Sequence, residues 1–77
     1  MKLDDFDSKA RILRHFWITY NKPLSKDIKS MMISQGRRVV AEMKGWIVTG
    51  AISKKDANNI VNKYELRKFI DLLKYEQ

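Results

Sequence analysis

The chain contains no cysteine, one proline and three glycines in 77 residues. Without thiols it forms neither a disulfide framework nor a thiolate metal site, and a secreted domain this small ordinarily needs such cross-links. The low proline and glycine content excludes a disordered or low-complexity chain. We therefore predict one intracellular domain, residues 1–77, in the cytoplasm.

Long apolar runs are also missing. No stretch approaches the roughly 20 apolar residues that a transmembrane helix requires. The N-terminal sequence MKLDDFDSK is acidic and has no apolar core, which argues against an export signal. We expect no association with a membrane.

Residues that could carry catalysis are scarce. His15 is the single histidine, and no nucleophile or orienting carboxylate accompanies it in a recognisable pattern. Asp4, Asp5 and Asp7 lack the spacing of a calcium-binding loop, so we interpret them as acids that stabilise a helix start. A glycine-rich phosphate loop is absent as well. The sequence predicts no enzyme activity, no metal site and no cofactor.

Positive charge is what the chain has in excess, with 16 Lys and Arg against 9 Asp and Glu, a net charge of +7. The excess is concentrated between residues 8 and 49, where nine basic residues accompany only Asp27 and Glu42. Such a concentration is expected of a surface that contacts phosphates. The alternative is a charge that only keeps a small domain soluble.

Apolar residues recur at helical spacing in the first quarter of the chain. They predict a helix over residues 4–20, which Pro23 terminates because the residue before a proline avoids the α conformation. The apolar stripe of this helix contains Phe6, Ala10, Leu13, Trp17 and Tyr20. We expect these side chains to form part of the core.

The segment 25–44 allows two interpretations. One helix could run unbroken through it, because its apolar residues keep a helical period. Alternatively, the helix breaks near Ile33 and Ser34 caps a third helix. Glycine costs roughly 1 kcal/mol in a helix interior, and this cost is smaller near a helix start, where the break would place Gly36. We favour the break, with Gly45 ending the third helix.

Residues 46–52 are the single stretch with strand character, because they are β-branched and aromatic and contain Gly50 for a turn. Seven residues are too few for an independent sheet. A tight hairpin and an apolar loop packed on the core are the two alternatives. The predicted fold class is mainly α, a bundle of three to four helices with a helix-turn-helix, to which a minimal β-hairpin at 46–52 is an optional addition.

The last helix begins at a capping-box pattern, Ser53 to Asp56, and is predicted to reach about residue 75. Its apolar residues change face partway along. Either the helix breaks near Glu65, or it is apolar on two sides. A second apolar face must be buried, and the simplest partner is a second copy of the chain in a two-fold dimer. The predicted interface consists of Leu66, Phe69, Ile70 and Leu73.

Between residues 12 and 47 an apolar helix is followed by Pro-Leu-Ser, by Asp-Ile opening a short helix, and by a turn at Ile33 and Ser34. A basic helix with Val39 and Val40 comes next, and then the exit Met-Lys-Gly-Trp-Ile. This order resembles the helix-turn-helix superfamily, and more narrowly its winged-helix members. The resemblance implies a small DNA-binding regulatory protein whose recognition helix, residues 34–44, lies in the major groove.

A helix that begins at Ser34 would direct free backbone N–H groups and its positive dipole end toward a phosphate. Its first turn carries Gln35, Arg37 and Arg38, and these residue types form bidentate hydrogen bonds to adenine and guanine. Phosphate contacts are predicted for four lysines: Lys22, Lys26, Lys29 and Lys44. Duplex DNA is therefore the favoured partner, and solvated arginines on an ordinary helix are the alternative.

Two other partners stay open at this point. Phe16, Trp17 and Tyr20 could stack on single-stranded DNA or RNA, although their spacing favours core packing. A protein-interaction module would instead dock its basic face on an acidic protein and insert the second apolar face of its last helix into a groove. Comparing duplex with single-stranded nucleic acid, and capturing a protein partner free of nucleic acid, separates the three hypotheses.

Overall fold

Four α-helices form the described part of the chain in the computed structural model, which covers residues 2–75 and, at residue 75, the backbone alone. This part contains no strand. The predicted small α-helical bundle is confirmed, while residues 1, 76 and 77 of the predicted domain lie outside the described residues. The helices are α1 (Lys2–Tyr20), α2 (Lys26–Val48), α3 (Lys54–Lys63) and α4 (Arg67–Tyr75).

Local sequence signals set the starts of α2 and α3. The Ser25 hydroxyl accepts a hydrogen bond from the backbone N–H of Ile28 at 3.3 Å. The Ser53 hydroxyl accepts one from the backbone N–H of Asp56 at 3.1 Å. Both serines satisfy a donor that a helix start leaves unpaired. The two predicted N-caps are therefore confirmed.

The second helix runs without interruption for 23 residues, so the predicted break near Ile33 is wrong. Gly36 lies in the interior of α2 and is buried. A Cβ atom at this position would lie 3.2 Å from Cδ2 of Leu73 and 3.4 Å from Cζ of Phe69. The missing side chain lets α4 approach α2 closely, and packing of α4 there offsets the roughly 1 kcal/mol that glycine costs in a helix.

The predicted end of this helix at Gly45 and the predicted β-hairpin at 46–52 are also wrong. Residues 46–48 form the last turn of α2, with Thr49 as its C-cap. Gly50, with a φ of 81°, turns the chain toward α3, and its N–H donates to the carbonyl of Ile47 at 3.1 Å. Burial against the core outweighs the strand propensity of this segment, because β-propensity depends strongly on context.

The last predicted helix breaks at Glu65, which was one of the two alternatives. Tyr64 is the C-cap of α3, and Glu65 follows it with a φ of 55°. The N–H groups of Glu65 and Leu66 donate to the carbonyls of Asn62 and Val61 at 3.2 and 3.0 Å. This pair of hydrogen bonds is a Schellman motif. The turn lets the apolar faces of α3 and α4 pack on the same core.

Residues from all four helices and from both connections that flank α3 build the core. Leu66 and Phe69 are fully buried, Leu73 is 4% exposed, and Ile70 is half-buried. The predicted interface is therefore wrong for the first three, because they pack inside a single chain. The oligomeric state itself stays a prediction. The buried apolar residues are Phe6, Ala10, Leu13, Met43, Ile52, Ala57, Leu66, Phe69 and Leu73.

The first two helices are antiparallel neighbours. The ring of Phe6, near the start of α1, lies 6.4 Å from that of Trp46, near the end of α2. The bundle measures 37 × 21 × 19 Å, and α2, about 34 Å long at 1.5 Å per residue, is comparable in length to its longest dimension. Within residues 2–75, no helix combines the length and apolar composition of a membrane-spanning segment.

Candidate nucleic-acid interface

The eight residues predicted to bind DNA all lie on α2 or in the loop that precedes it. Lys29 is half-buried, and its Nζ lies 5.2 Å from the centre of the Tyr20 ring. The other seven are exposed to solvent, and the structure therefore leaves them available to a partner: Lys22, Lys26, Ser34, Gln35, Arg37, Arg38 and Lys44.

Ser34 does not begin a helix, which overturns its predicted role. It is the ninth residue of α2, so backbone N–H groups around it belong to the helical hydrogen-bond ladder. Neither free N–H groups nor a dipole end is offered there to a phosphate. Any contact that this part of α2 makes must come from side chains alone.

Side chains on α2 divide according to their angle around the helix axis. At about 100° per residue, Lys26, Arg37 and Lys44 lie within about 20° of one another. They form one line along the edge of α2 nearest α4, which we call the basic stripe. Ser34 and Arg38 lie farther round on the side away from the buried positions, and Arg38 is about 100° from Arg37. The predicted surface is thus brought together on the outward half of α2.

The cations of this outward half have no acidic partner. Lys26, Arg37, Arg38 and Lys44 form no salt bridge with any carboxylate of residues 2–75. The sequence of α2 has no acidic residue between its second position and Glu42. An external anion can therefore approach these groups without displacing an internal one.

Other basic residues are used inside the protein, around Asp7. The Tyr64 hydroxyl donates to the Asp7 carboxylate at 3.0 Å, and Arg11 Nε donates to it at 3.1 Å. Lys63 Nζ lies 3.6 Å from the same carboxylate. The Tyr64 hydroxyl and the Asp7 charge raise the pKa of Arg11 above its ordinary value. This cluster joins α1 to the end of α3.

Arg37 has a structural contact as well as an exposed position. Its Nε donates to the backbone carbonyl of Leu73 at 3.0 Å. Leu73 belongs to the last turn of α4, where carbonyls lack partners within the helix. The bond satisfies one such carbonyl with one of the five guanidinium donors. Arg37 is thereby held in a fixed position between the two helices.

A cleft between α2 and α4 adjoins the basic stripe. Its outer part has a volume of about 180 Å³. An inner cavity of about 120 Å³ shares Val40, Lys44 and Ile70 with it and also reaches Phe6. We call both parts together the α2–α4 cleft. Residues at its outer part are Arg37, Val40, Ala41, Lys44, Ile70, Leu73 and Lys74.

No protein-family model, curated protein or solved structure matches this chain. The resemblance to the helix-turn-helix superfamily stays a prediction from the order of residues, and the turn that it placed near Ile33 is absent from α2.

The aromatic residues of α1 pack on α4. The ring of Trp17 stacks on that of Phe69 with centroids 5.2 Å apart, and on that of Tyr20 with centroids 6.1 Å apart. All three residues are buried or half-buried. The interpretation of Trp17 and Tyr20 as core residues is confirmed, and their packed faces are not offered to nucleic-acid bases.

Proposed function

We propose that the protein is a small nucleic-acid-binding module that lays the outward half of α2 on duplex DNA. The observation that carries the proposal is the row of exposed cations on this uninterrupted helix, none of which pairs with a described carboxylate. Each phosphate that such a cation neutralises releases condensed counterions, and this release drives association. A regulatory role belongs to the same proposal, because a module of this size acts by occupying its site.

Duplex DNA is favoured over single strands for two reasons. The major groove, about 12 Å wide, admits an α-helix, and a long straight helix with one exposed half fits it. Single-strand binding relies on aromatic platforms, and the rings of Trp17 and Tyr20 are occupied in stacking. In this arrangement Ser34 and Arg38 point toward base edges and the basic stripe toward phosphates. The middle of α2 makes the contacts, in place of the first turn of a recognition helix.

A pair of double variants tests this proposal. Lys26→Ala with Arg38→Ala removes two cations from the outward half of α2, and Lys54→Ala with Lys55→Ala removes two exposed cations from the start of α3. We measure duplex affinity by fluorescence anisotropy over a range of salt concentrations. The first pair should make the plot of log affinity against log salt less steep by about 0.9 for each lost phosphate contact. The second pair should leave that slope unchanged.

Two outcomes would contradict the proposal. One is the absence of duplex binding at low salt. The other is an equal loss of slope in both double variants, because that would mean a response to net charge rather than to α2. Arg37 is left out of the test variants, since its hydrogen bond to Leu73 makes its removal a change in α4 as well.

The second candidate function is a protein-interaction module. The apolar face of the last helix, on which this hypothesis relied, is buried at Leu66, Phe69 and Leu73 and is no longer available. The basic face is still available. One further observation favours it, which is the apolar floor of the α2–α4 cleft beside exposed cations.

A further inference from the structure

We propose that the α2–α4 cleft binds an acidic segment of a partner protein, which inserts one large apolar side chain and carries carboxylates on either side of it. This site goes beyond the binding of nucleic acid and does not depend on it.

The floor of the cleft requires an apolar occupant. Val40 and Ile70 line both of its parts, and the inner cavity adds Met43 and Val61. Pockets for drug-sized ligands have volumes of about 300–1,000 Å³. Volumes of about 180 and 120 Å³ suit single side chains instead. A leucine or phenylalanine anchored there removes apolar surface from water on both partners.

The rim of the cleft requires negative charge beside that anchor. Arg37, Lys44 and Lys74 are exposed around the outer part, and none forms a salt bridge with a described carboxylate. The bond from Arg37 to the carbonyl of Leu73 fixes the guanidinium before any partner arrives. A group held in place beforehand loses less freedom on binding, and arginine suits carboxylates in a forked geometry. Like charge on a partner would be repelled.

The lining favours a peptide over a nucleic-acid base. Bases bind proteins by stacking on aromatic rings or by hydrogen bonds at their edges. The outer part of the cleft is lined by aliphatic residues and three cations, with no aromatic ring. Aliphatic walls accept an aliphatic or aromatic side chain equally well. The combination of apolar floor and cationic rim therefore matches an acidic protein segment.

Two fluorescent peptides test the proposal. Both consist of a central residue flanked on each side by two glutamates, and the central residue is leucine in one and alanine in the other. With the full-length protein, the leucine peptide should bind about tenfold tighter or more, which is the effect of burying one large apolar side chain. Equal affinities would overturn the proposal, because charge alone would then account for binding.

Substitutions locate the binding in the cleft. Ala41→Leu fills its mouth at an exposed helical position and should remove the preference for the leucine peptide. Lys74→Glu reverses one rim charge and should weaken both peptides. Lys68→Glu is the matched control, since Lys68 is also exposed on α4, lies about 120° away around that helix and does not line the outer part of the cleft.

Other outcomes give clear answers too. Wild-type behaviour of Ala41→Leu, or equal effects of the two lysine reversals, would overturn the proposal. So would an oligonucleotide that loses affinity in Ala41→Leu while neither peptide binds, because the occupant would then be nucleic acid. The pair Lys26→Ala with Arg38→Ala should leave peptide affinity unchanged, since neither residue lines the cleft. That result keeps this proposal separate from the fate of duplex binding.

Discussion

At the scale of single residues, Glu65 occupies a backbone conformation that suits another amino acid. Among residues 2–75 it is the one non-glycine residue with a positive φ. An L-residue pays roughly 1–2 kcal/mol in the left-handed region, and glycine is the usual choice at this position after a helix. The Schellman hydrogen bonds and the burial of Leu66 hold the chain in this conformation.

Replacing this residue should therefore stabilise the protein. Glu65→Gly is expected to raise the free energy of unfolding by about 1 kcal/mol, because it removes the left-handed strain. Glu65→Ala is the control, since it deletes the same carboxylate and keeps the strain. Urea denaturation followed by circular dichroism measures both. A similar gain in the two variants would point to the charge and contradict the argument from backbone strain.

At the scale of helices, glycine had a different meaning from the one that the sequence suggested. Gly36 was interpreted as the start of a new helix, but it is a contact point between α2 and α4. The turn between α3 and α4 has no glycine, so the sequence left a break at Glu65 as one of two alternatives. Whether a helical glycine breaks or packs depends on what lies against it in the folded chain, which local pattern does not contain.

Where local chemistry decides, the sequence was sufficient. The hydroxyls of Ser25 and Ser53 act on donors three residues away, so both N-caps could be predicted. The apolar stripe of the first helix also follows from spacing, and Phe6, Ala10 and Leu13 are buried. Residues 46–48 could not be predicted in this way, because packing on the core decides between helix and strand there.

The same substitution at the two helical glycines of α2 tests the role of Gly36. Gly36→Leu should destabilise the protein by about 1–3 kcal/mol, because the new side chain must displace Leu73 and Phe69. Gly45→Leu should stabilise it by roughly 0.5–1 kcal/mol, since nothing lies within 4 Å of a Cβ there and leucine is the better helix former. Thermal unfolding gives both values. Equal effects of the two variants would contradict the packing argument.

At the scale of the whole molecule, the basic character of the middle segment could be predicted and its division between two surfaces could not. The net charge of +7 pointed to an anionic partner. Adjacent residues Arg37 and Arg38 were treated as one site, yet they point about 100° apart on a helix. The cleft brings Arg37 beside Lys74, and residues this far apart in the chain meet only through the tertiary fold.

Because α2 is a single helix, the two ends of its basic stripe cannot move independently. Lys26 and Lys44 are 18 residues apart, a separation of about 27 Å at 1.5 Å per residue. That separation corresponds to about eight base pairs of B-DNA at about 3.4 Å each. Affinity measured against a series of duplex lengths should therefore fall once the duplex is shorter than this footprint, and a steady decline without such a threshold would contradict it. The uninterrupted helix fixes the smallest piece of DNA that the protein can hold fully.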